Sequence, residues 1–233
     1  MKPCDVLCIG PHPDDCEIAM GGTILKLVGS GKSVSVLDMT RGEMATSGSL
    51  EQRAGEAAKA AAALGLAERR NLGMPDTGLR EGDEAVRPVV RAIRACRPAL
   101  LFAPLWRDMH PDHAATAIIA SRAFFLSGLA RWDPESGPPH RPGALLRYAG
   151  DLAESPGFLV DISEFADAKA AVLRCFSSQV APPDRSHLLT GLDIVERAEA
   201  RDRFYGAMAG CRAAEPFWSD RPLVLGDLAP LMS

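Results

Sequence analysis

The sequence of 233 residues predicts a single α/β domain with a Rossmann-like, three-layer fold: a mostly parallel sheet with helices on both faces. Three observations lead there. Short apolar runs alternate along the chain with longer stretches of helical period. The first of these, residues 5–10, passes through a loop and a helical stretch into a second run at 33–39. This is a β-loop-α-β unit, whose right-handed crossover lays a helix on a parallel sheet. Length and composition complete the argument: 47% hydrophobic and 24% charged residues suit one sizeable core, so residues 1–233 are taken as one domain.

The elements follow in order. A helical pattern at 17–30 keeps Ile18, Ile24, Leu25 and Val28 on one side. Ser49, with Gln52 three residues on, is a capping-box signal that opens an alanine-rich helix ending at Gly65. Arg53 falls in its first turn, where the helix dipole disfavours positive charge; this hints at a task beyond helix stability, beside the plainer reading of a solvent-facing arginine that the helix tolerates. Residues 74–78 are turn chemistry, 84–96 a helix and 100–104 a strand. Pro111 suits the first turn of the next helix, continued by Ile118, Ile119, Phe124 and Phe125. Residues 133–143 form a Pro/Gly-rich loop, and 145–148 and 158–161 read as late strands. Ser163 is expected to cap a helix reaching Cys175, and a last long helix spans 192–208.

Charge excludes some partners. At a net −4 and a pI near 5.8 no global basic field draws the chain to nucleic acid or anionic membranes. No apolar run reaches the ~18 residues of a membrane span, and the first residues lack the order of a secretory signal, so a cytoplasmic protein is expected. Six scattered cysteines without a Cys-x-x-Cys pair read as packed free thiols, Cys16 included although it adjoins Asp15.

Chemistry concentrates in two stretches, residues 11–17 and 109–113, which hold His12, Asp14, Asp15, His110, Asp112 and His113. Both follow strands of the predicted parallel sheet, at the carboxyl ends where open α/β sheets bind ligands. A catalytic zinc takes three protein ligands and leaves one position for water; His12, Asp15 and His113 satisfy that count. The competing reading makes the histidines loop residues and the aspartates helix caps. A cap needs one aspartate, however, and adjacent carboxylates repel unless something positive separates their roles.

These residues resemble the LmbE/PIG-L family of zinc-dependent N-acetylglucosamine deacetylases, and within it the bacillithiol-biosynthesis deacetylases. The likeness is carried by His12-Pro13-Asp14-Asp15-x-Glu17, Arg53, Met74-Pro75-Asp76-x-Gly78 and His110-Pro111-Asp112-His113. It extends to Pro139-His140-Arg141, Asp161-Ile162-Ser163 and Ser178-Gln179. The resemblance implies that His12, Asp15 and His113 hold Zn²⁺, or another divalent ion such as Fe²⁺. Asp14 is then the general base, and a charged His110, oriented by Asp112, opposes the developing negative charge on the acetyl oxygen. Arg53 is implied to contact the sugar. It further implies a small-molecule substrate, an N-acetylated amino-sugar conjugate such as N-acetylglucosaminyl malate, and a homo-oligomer such as a hexamer.

Two departures mark this chain. Met109 stands where the bacillithiol enzymes carry an arginine, which leaves Arg107 or Arg141 to meet an acidic aglycone. Leu192 and Ile194 occupy the region of the family's late-loop tyrosine, which keeps a second reading open: a sugar-conjugate binding module with a retained metal site and weak or no catalysis. The loops at 133–143 and 181–190 are expected to meet the aglycone. A nucleotide-binding role is disfavoured because the first turn has no glycine-rich phosphate fingerprint.

Overall fold

The computed structural model describes residues 1–151, 155–180 and 193–224. Seven strands form one sheet: β1 (Val6–Gly10), β2 (Val34–Thr40), β3 (Glu68–Met74), β4 (Leu100–Pro104), β5 (Ala144–Tyr148), β6 (Phe158–Asp161) and β7 (Ala214–Ser219). Their order is β3-β2-β1-β4-β5-β7-β6. The first five run parallel, and β7 lies antiparallel between β5 and β6. The helices are α1 (Asp15–Gly29), α2 (Leu50–Leu64), α3 (Asp83–Cys96), α4 (Pro111–Leu126), α5 (Ala166–Leu173), α6 (Ser177–Val180) and α7 (Ile194–Ala209).

Side chains alternate across each strand, so a parallel sheet must be covered twice. Leu7 and Ile9 of β1, Leu37 and Met39 of β2 and Leu101 and Ala103 of β4 pack under α3 and α4. Val6, Cys8, Val34, Val36 and Phe102 face the other way, under α1, α2 and α5. This gives the three layers expected. The chain winds outward from β1 through β2 to β3, then returns to place β4 on the other side of β1. The gap between the carboxyl ends of β1 and β4 is therefore the switch point where such sheets bind ligands.

Several local expectations fail for physical reasons. β3, with sequence Glu-Arg-Arg-Asn-Leu-Gly-Met, shows no apolar alternation because it is an edge strand with one partner. β7 contains Pro216, a residue that argues against an interior strand. Ser163 does not cap α5: its hydroxyl bonds Asp161 Oδ1 and accepts the backbone N–H of Arg212, tying β6 to β7, while Phe165 stands at the helix N-cap. The loop at 133–143 cannot meet a substrate beside His110. His140 Nε2 bonds Pro98 O, just before the amino end of β4 and so at the end of the strands away from the site. Residues 181–190 lie outside the described residues. Among the described residues no helix is long and apolar enough to cross a membrane. All six cysteines are free, and Cys16 is buried toward Tyr148 rather than toward the site.

Candidate active site

The first turn leaves β1 at Gly10, where a Cβ would meet Cys16 Sγ at 3.2 Å and His12 O at 3.3 Å, so a larger residue there would push its neighbours aside by a few tenths of an ångström. Asp14 is the N-cap of α1 at φ 120°, a conformation that costs of order 1–3 kcal/mol for a non-glycine residue and persists only when its surroundings hold it. They do. Arg53, only 4% exposed, donates to Pro13 O at 3.0 Å and Gly42 O at 2.9 Å, with Asp14 Oδ2 at 3.5 Å. Beneath, buried Glu17 accepts from Arg69 Nη1 at 2.5 Å, and Arg69 also grips Asp38 with two bonds. The first turn of α1 is thus fastened to β2 and β3.

The second turn, 105–110, is more open. Asp108 accepts the His110 backbone N–H on Oδ1 at 2.8 Å and bonds His113 Nδ1 through Oδ2 at 2.8 Å. His110 caps α4, its Nδ1 accepting the Asp112 backbone N–H at 3.2 Å. The expectation that the Asp112 carboxylate orients His110 is not met. That carboxylate is buried, accepts the backbone N–H groups of Thr77 (2.7 Å) and Leu79 (3.3 Å), and lies 3.4 Å from His12 Nε2.

The two turns converge. Asp15 Oδ2 lies 3.1 Å from His12 Nδ1 and 3.3 Å from His113 Nε2. Ligands at about 2.0–2.2 Å from a tetrahedral ion are separated by about 3.3–3.6 Å, so these two edges, at 3.1 and 3.3 Å, are close to what a cation bridged by Asp15 requires. The outer nitrogens are held as well: His12 Nε2 lies 3.0 Å from Asp76 Oδ1, and His113 Nδ1 is on Asp108. Carboxylates behind ligating imidazoles fix tautomer and ring orientation. Further nitrogen is close by, since His12, His110 and His113 each bring a ring atom within 4.8 Å of the others. His12, Asp76 and Asp112 form a second such group. Asp76 accepts the Met44 N–H and Asp112 the Thr77 and Leu79 N–H groups, just as Asp15 Oδ2 accepts the His12 N–H at 2.9 Å, so this group and the Asp15 cluster share His12 and offer carboxylate oxygens already held by the backbone.

Electrostatics tell the same story. Burial alone would lower both imidazoles, yet Asp15, with Asp76 at one and Asp108 at the other, lifts His12 to about 9 and His113 to about 11. The pocket therefore calls for positive charge. Asp15 is held well below the usual carboxylate range by these histidines despite its burial. Asp14 goes the other way: burial and the neighbouring Asp15 charge push it up to about 7, against Arg53 and His12. His110 is lowered by burial and by the His12 and His113 charges, against Asp112. Because its Nδ1 accepts a backbone N–H, its neutral ring carries the proton on Nε2. The direction of this shift runs against the charged His110 implied by the resemblance, and the geometry leaves Nε2 as the hydrogen-bond donor.

A cavity of about 480 Å³ opens over this cluster. It is lined by Asp15, Asp108, Met109, His110, Pro111 and His113 from the two turns, and by Ile18, Gly150, Asp151, Ile194 and Arg197, the last paired with Asp151. Met109 stands on the rim, 80% exposed. Arg107 is exposed on the same loop but does not line the cavity. Arg141 cannot serve there. It stacks on Phe125, fifteen residues or about 22 Å along α4 from His110. Neither tyrosine replaces the late-loop one: Tyr148 is buried with its OH on Ile9 O, and Tyr205 is buried in α7. Sequence reasoning passed over Asp76 and Asp108 as site residues. Asp76 carried a signal in its Met-Pro-Asp-x-Gly turn; Asp108 carried none.

Comparison with known proteins follows the same lines. The family model described as PIG-L, GlcNAc-PI de-N-acetylase, matches residues 7–124. The diacetylchitobiose deacetylase of Thermococcus kodakarensis is 34% identical over 228 residues, covering 90% of this chain and 80% of that protein. A 1D-myo-inositol 2-acetamido-2-deoxy-alpha-D-glucopyranoside deacetylase of Nocardiopsis dassonvillei is 26% identical, covering 85% of this chain and 92% of that protein. Among solved structures, the conserved protein TT1542 of Thermus thermophilus superposes with a TM-score of 0.86 at 38% identity, covering 95% of this chain and 97% of the other.

Proposed function

Since this chain belongs to the PIG-L family of GlcNAc-PI de-N-acetylases, we propose that it hydrolyses the acetamide of an N-acetylglucosamine-containing conjugate, releasing acetate and the free amine. The observation that carries this reading is the convergence of His12, Asp15 and His113 beside an Asp14 poised near neutrality. The donor set of two imidazoles and a carboxylate suits Zn²⁺ with an open position. Such an ion, when bound, acidifies a water and polarises the amide carbonyl.

The chain's own groups supply the rest. Asp14 takes the proton of the attacking water and returns it to the departing amine, a task suited to a carboxyl group raised toward neutral pH. Arg53 acts from behind, holding the Pro13–Asp14 backbone in place; its burial and its two carbonyl bonds support this role in preference to sugar contact. His110 offers its Nε2–H to the acetyl oxygen as negative charge builds there, and a neutral donor pays no penalty for being desolvated as a cation.

For the aglycone we favour a neutral partner, a second sugar or a polyol, over malate. The two relatives described above are named for diacetylchitobiose and for an inositol glucoside. Among the described residues the cavity lining offers one arginine, Arg197, and it is paired with Asp151, while Asp108 and Met109 also line it. The test is acetate release by zinc-loaded protein from diacetylchitobiose, from an N-acetylglucosaminyl inositol and from N-acetylglucosaminyl malate. Faster turnover of the two neutral compounds is expected; no acetate from any of the three removes the reading in favour of a binding module.

A further inference from the structure

Helix α1 is broken at Met20, whose φ −144° and ψ 22° are not helical. An unbroken helix would join Gly22 N to Ile18 O and Thr23 N to Ala19 O. All four of these groups have other partners. Glu215 accepts Gly22 N–H at 2.9 Å and Thr23 N–H at 2.7 Å, while Arg201 Nη2 donates to Ile18 O at 2.9 Å and Ala19 O at 3.1 Å. The two substitutes are linked through the interior: Arg201 bonds Asp202, Asp202 bonds Lys169, and Lys169 bonds Glu215. All four side chains are buried.

Arg201 reaches further. Its Nη1 donates to Ala149 O at 2.7 Å and Gly150 O at 3.0 Å in the turn after β5, and its Nε to Asp202 at 3.0 Å. Every N–H of the guanidinium is thereby used. One side chain on α7 clamps the short first segment of α1 and the turn after β5. Beside the histidine cluster, the cavity is lined by Ile18, Gly150, Asp151, Ile194 and Arg197. The first three belong to the clamped segments, and Ile194 and Arg197 lie seven and four residues before Arg201 on one face of α7.

We propose that Arg201 is a positioning residue that assembles this wall and so sets substrate affinity without touching substrate or metal ligands. The claim about substrate rests on the deacetylase reading above. Lysine cannot replace it, because a compact ammonium with three donors does not span four carbonyls on two segments. Glu215 is the internal control, since it belongs to the same buried network but supports only the far side of the break.

Hydrogen exchange followed by mass spectrometry on the zinc-loaded full chain separates the possibilities. Arg201→Lys is expected to speed exchange about tenfold in peptides covering both 16–21 and 147–151, as lost charge-assisted bonds imply. Glu215→Gln should speed it only around 20–24. In parallel, KM for diacetylchitobiose should rise about tenfold in Arg201→Lys, with zinc content unchanged and kcat within a few-fold, and should stay at the parent value in Glu215→Gln. Should Arg201→Lys fail to fold, Asp202→Asn, which loosens the guanidinium without removing it, is expected to give the same two-segment pattern at smaller amplitude. Exchange altered in one segment alone, an unchanged KM in Arg201→Lys, or an equal KM rise in Glu215→Gln overturns the proposal. A parent protein that releases no acetate defeats the deacetylase reading instead, and the exchange pattern still decides the clamp.

Discussion

The two turns that meet at the candidate site are built on opposite plans. The turn after β1 is buried and over-determined. Thr40 N bonds Pro11 O, Arg53 bonds Pro13 O, and the Glu17–Arg69–Asp38 cluster lies beneath a backbone that holds Asp14 at φ 120°. The turn after β4 is solvated from Trp106 to Met109, and its order comes from Asp108 and from Pro111 in the first turn of α4. Groups that must be placed to within a fraction of an ångström sit where the fold enforces geometry. Groups that face differing substrates sit where a side chain can change at little cost.

The sharpest way to break this contrast is at Asp14. Asp14→Asn keeps size and removes the base, so kcat should fall about 10²–10⁴-fold with zinc content unchanged, measured by acetate release and metal analysis. Retained activity with metal bound would show that the strained turn does not carry the base. The same substitution has a stability signature. In the metal-free protein Asp14 is raised from 3.8 to about 7, so the folded state keeps a proton that the unfolded chain gives up, and the parent loses stability as pH rises between those values. Melting curves in chelator should therefore find Asp14→Asn more stable than the parent above about pH 7, with the advantage shrinking as pH falls toward 4.

Next comes the second turn's contribution to the chemistry. His110→Phe removes the Nε2–H donor, and kcat should drop about 10²–10³-fold, the usual scale for one donor to a developing oxyanion. Loss of metal instead of rate would reassign His110 to the ion. The supporting carboxylates are expected to matter less. Asp76→Asn and Asp108→Asn should each weaken zinc by about 10–100-fold in competition with a chromophoric chelator. Asp108, the more exposed of the two, should give the smaller effect. The reverse order would mean that the second turn is the stiffer support.

Much of this plan was legible in the sequence because it is written in strong local signals. The β1 and β4 runs, the Ser49 cap, Pro111 and the two His/Asp clusters place the switch point and its candidate ligands, and Ser49 does accept Gln52 N–H. What escaped depends on partners distant in sequence. Nothing near Asp112 tells that its carboxylate is taken by the 77–79 backbone, nor near Arg53 that its guanidinium turns back to Pro13. β3 and β7 were hidden for a related reason, since an edge position and a tolerated proline are properties of the finished sheet. Local patterns specify elements, whereas hydrogen-bond destinations are settled by topology.

The smallest expected effect tests the second turn as the place of selectivity. Met109 is on the rim, so an arginine there adds a positive charge without disturbing packed neighbours. Met109→Arg should raise kcat/KM for N-acetylglucosaminyl malate by a few-fold at low salt and leave diacetylchitobiose unchanged. An exposed charge acts through water, so the gain should fade as ionic strength brings the screening length to about 8 Å. A gain that survives salt would mean that the new guanidinium is drawn into the cavity against Asp108, and that the loop is less open than its exposure suggests. No gain at any salt would place aglycone selection on the lining residues Asp151, Ile194 and Arg197, where the Arg201 variants would then show the larger change in preference.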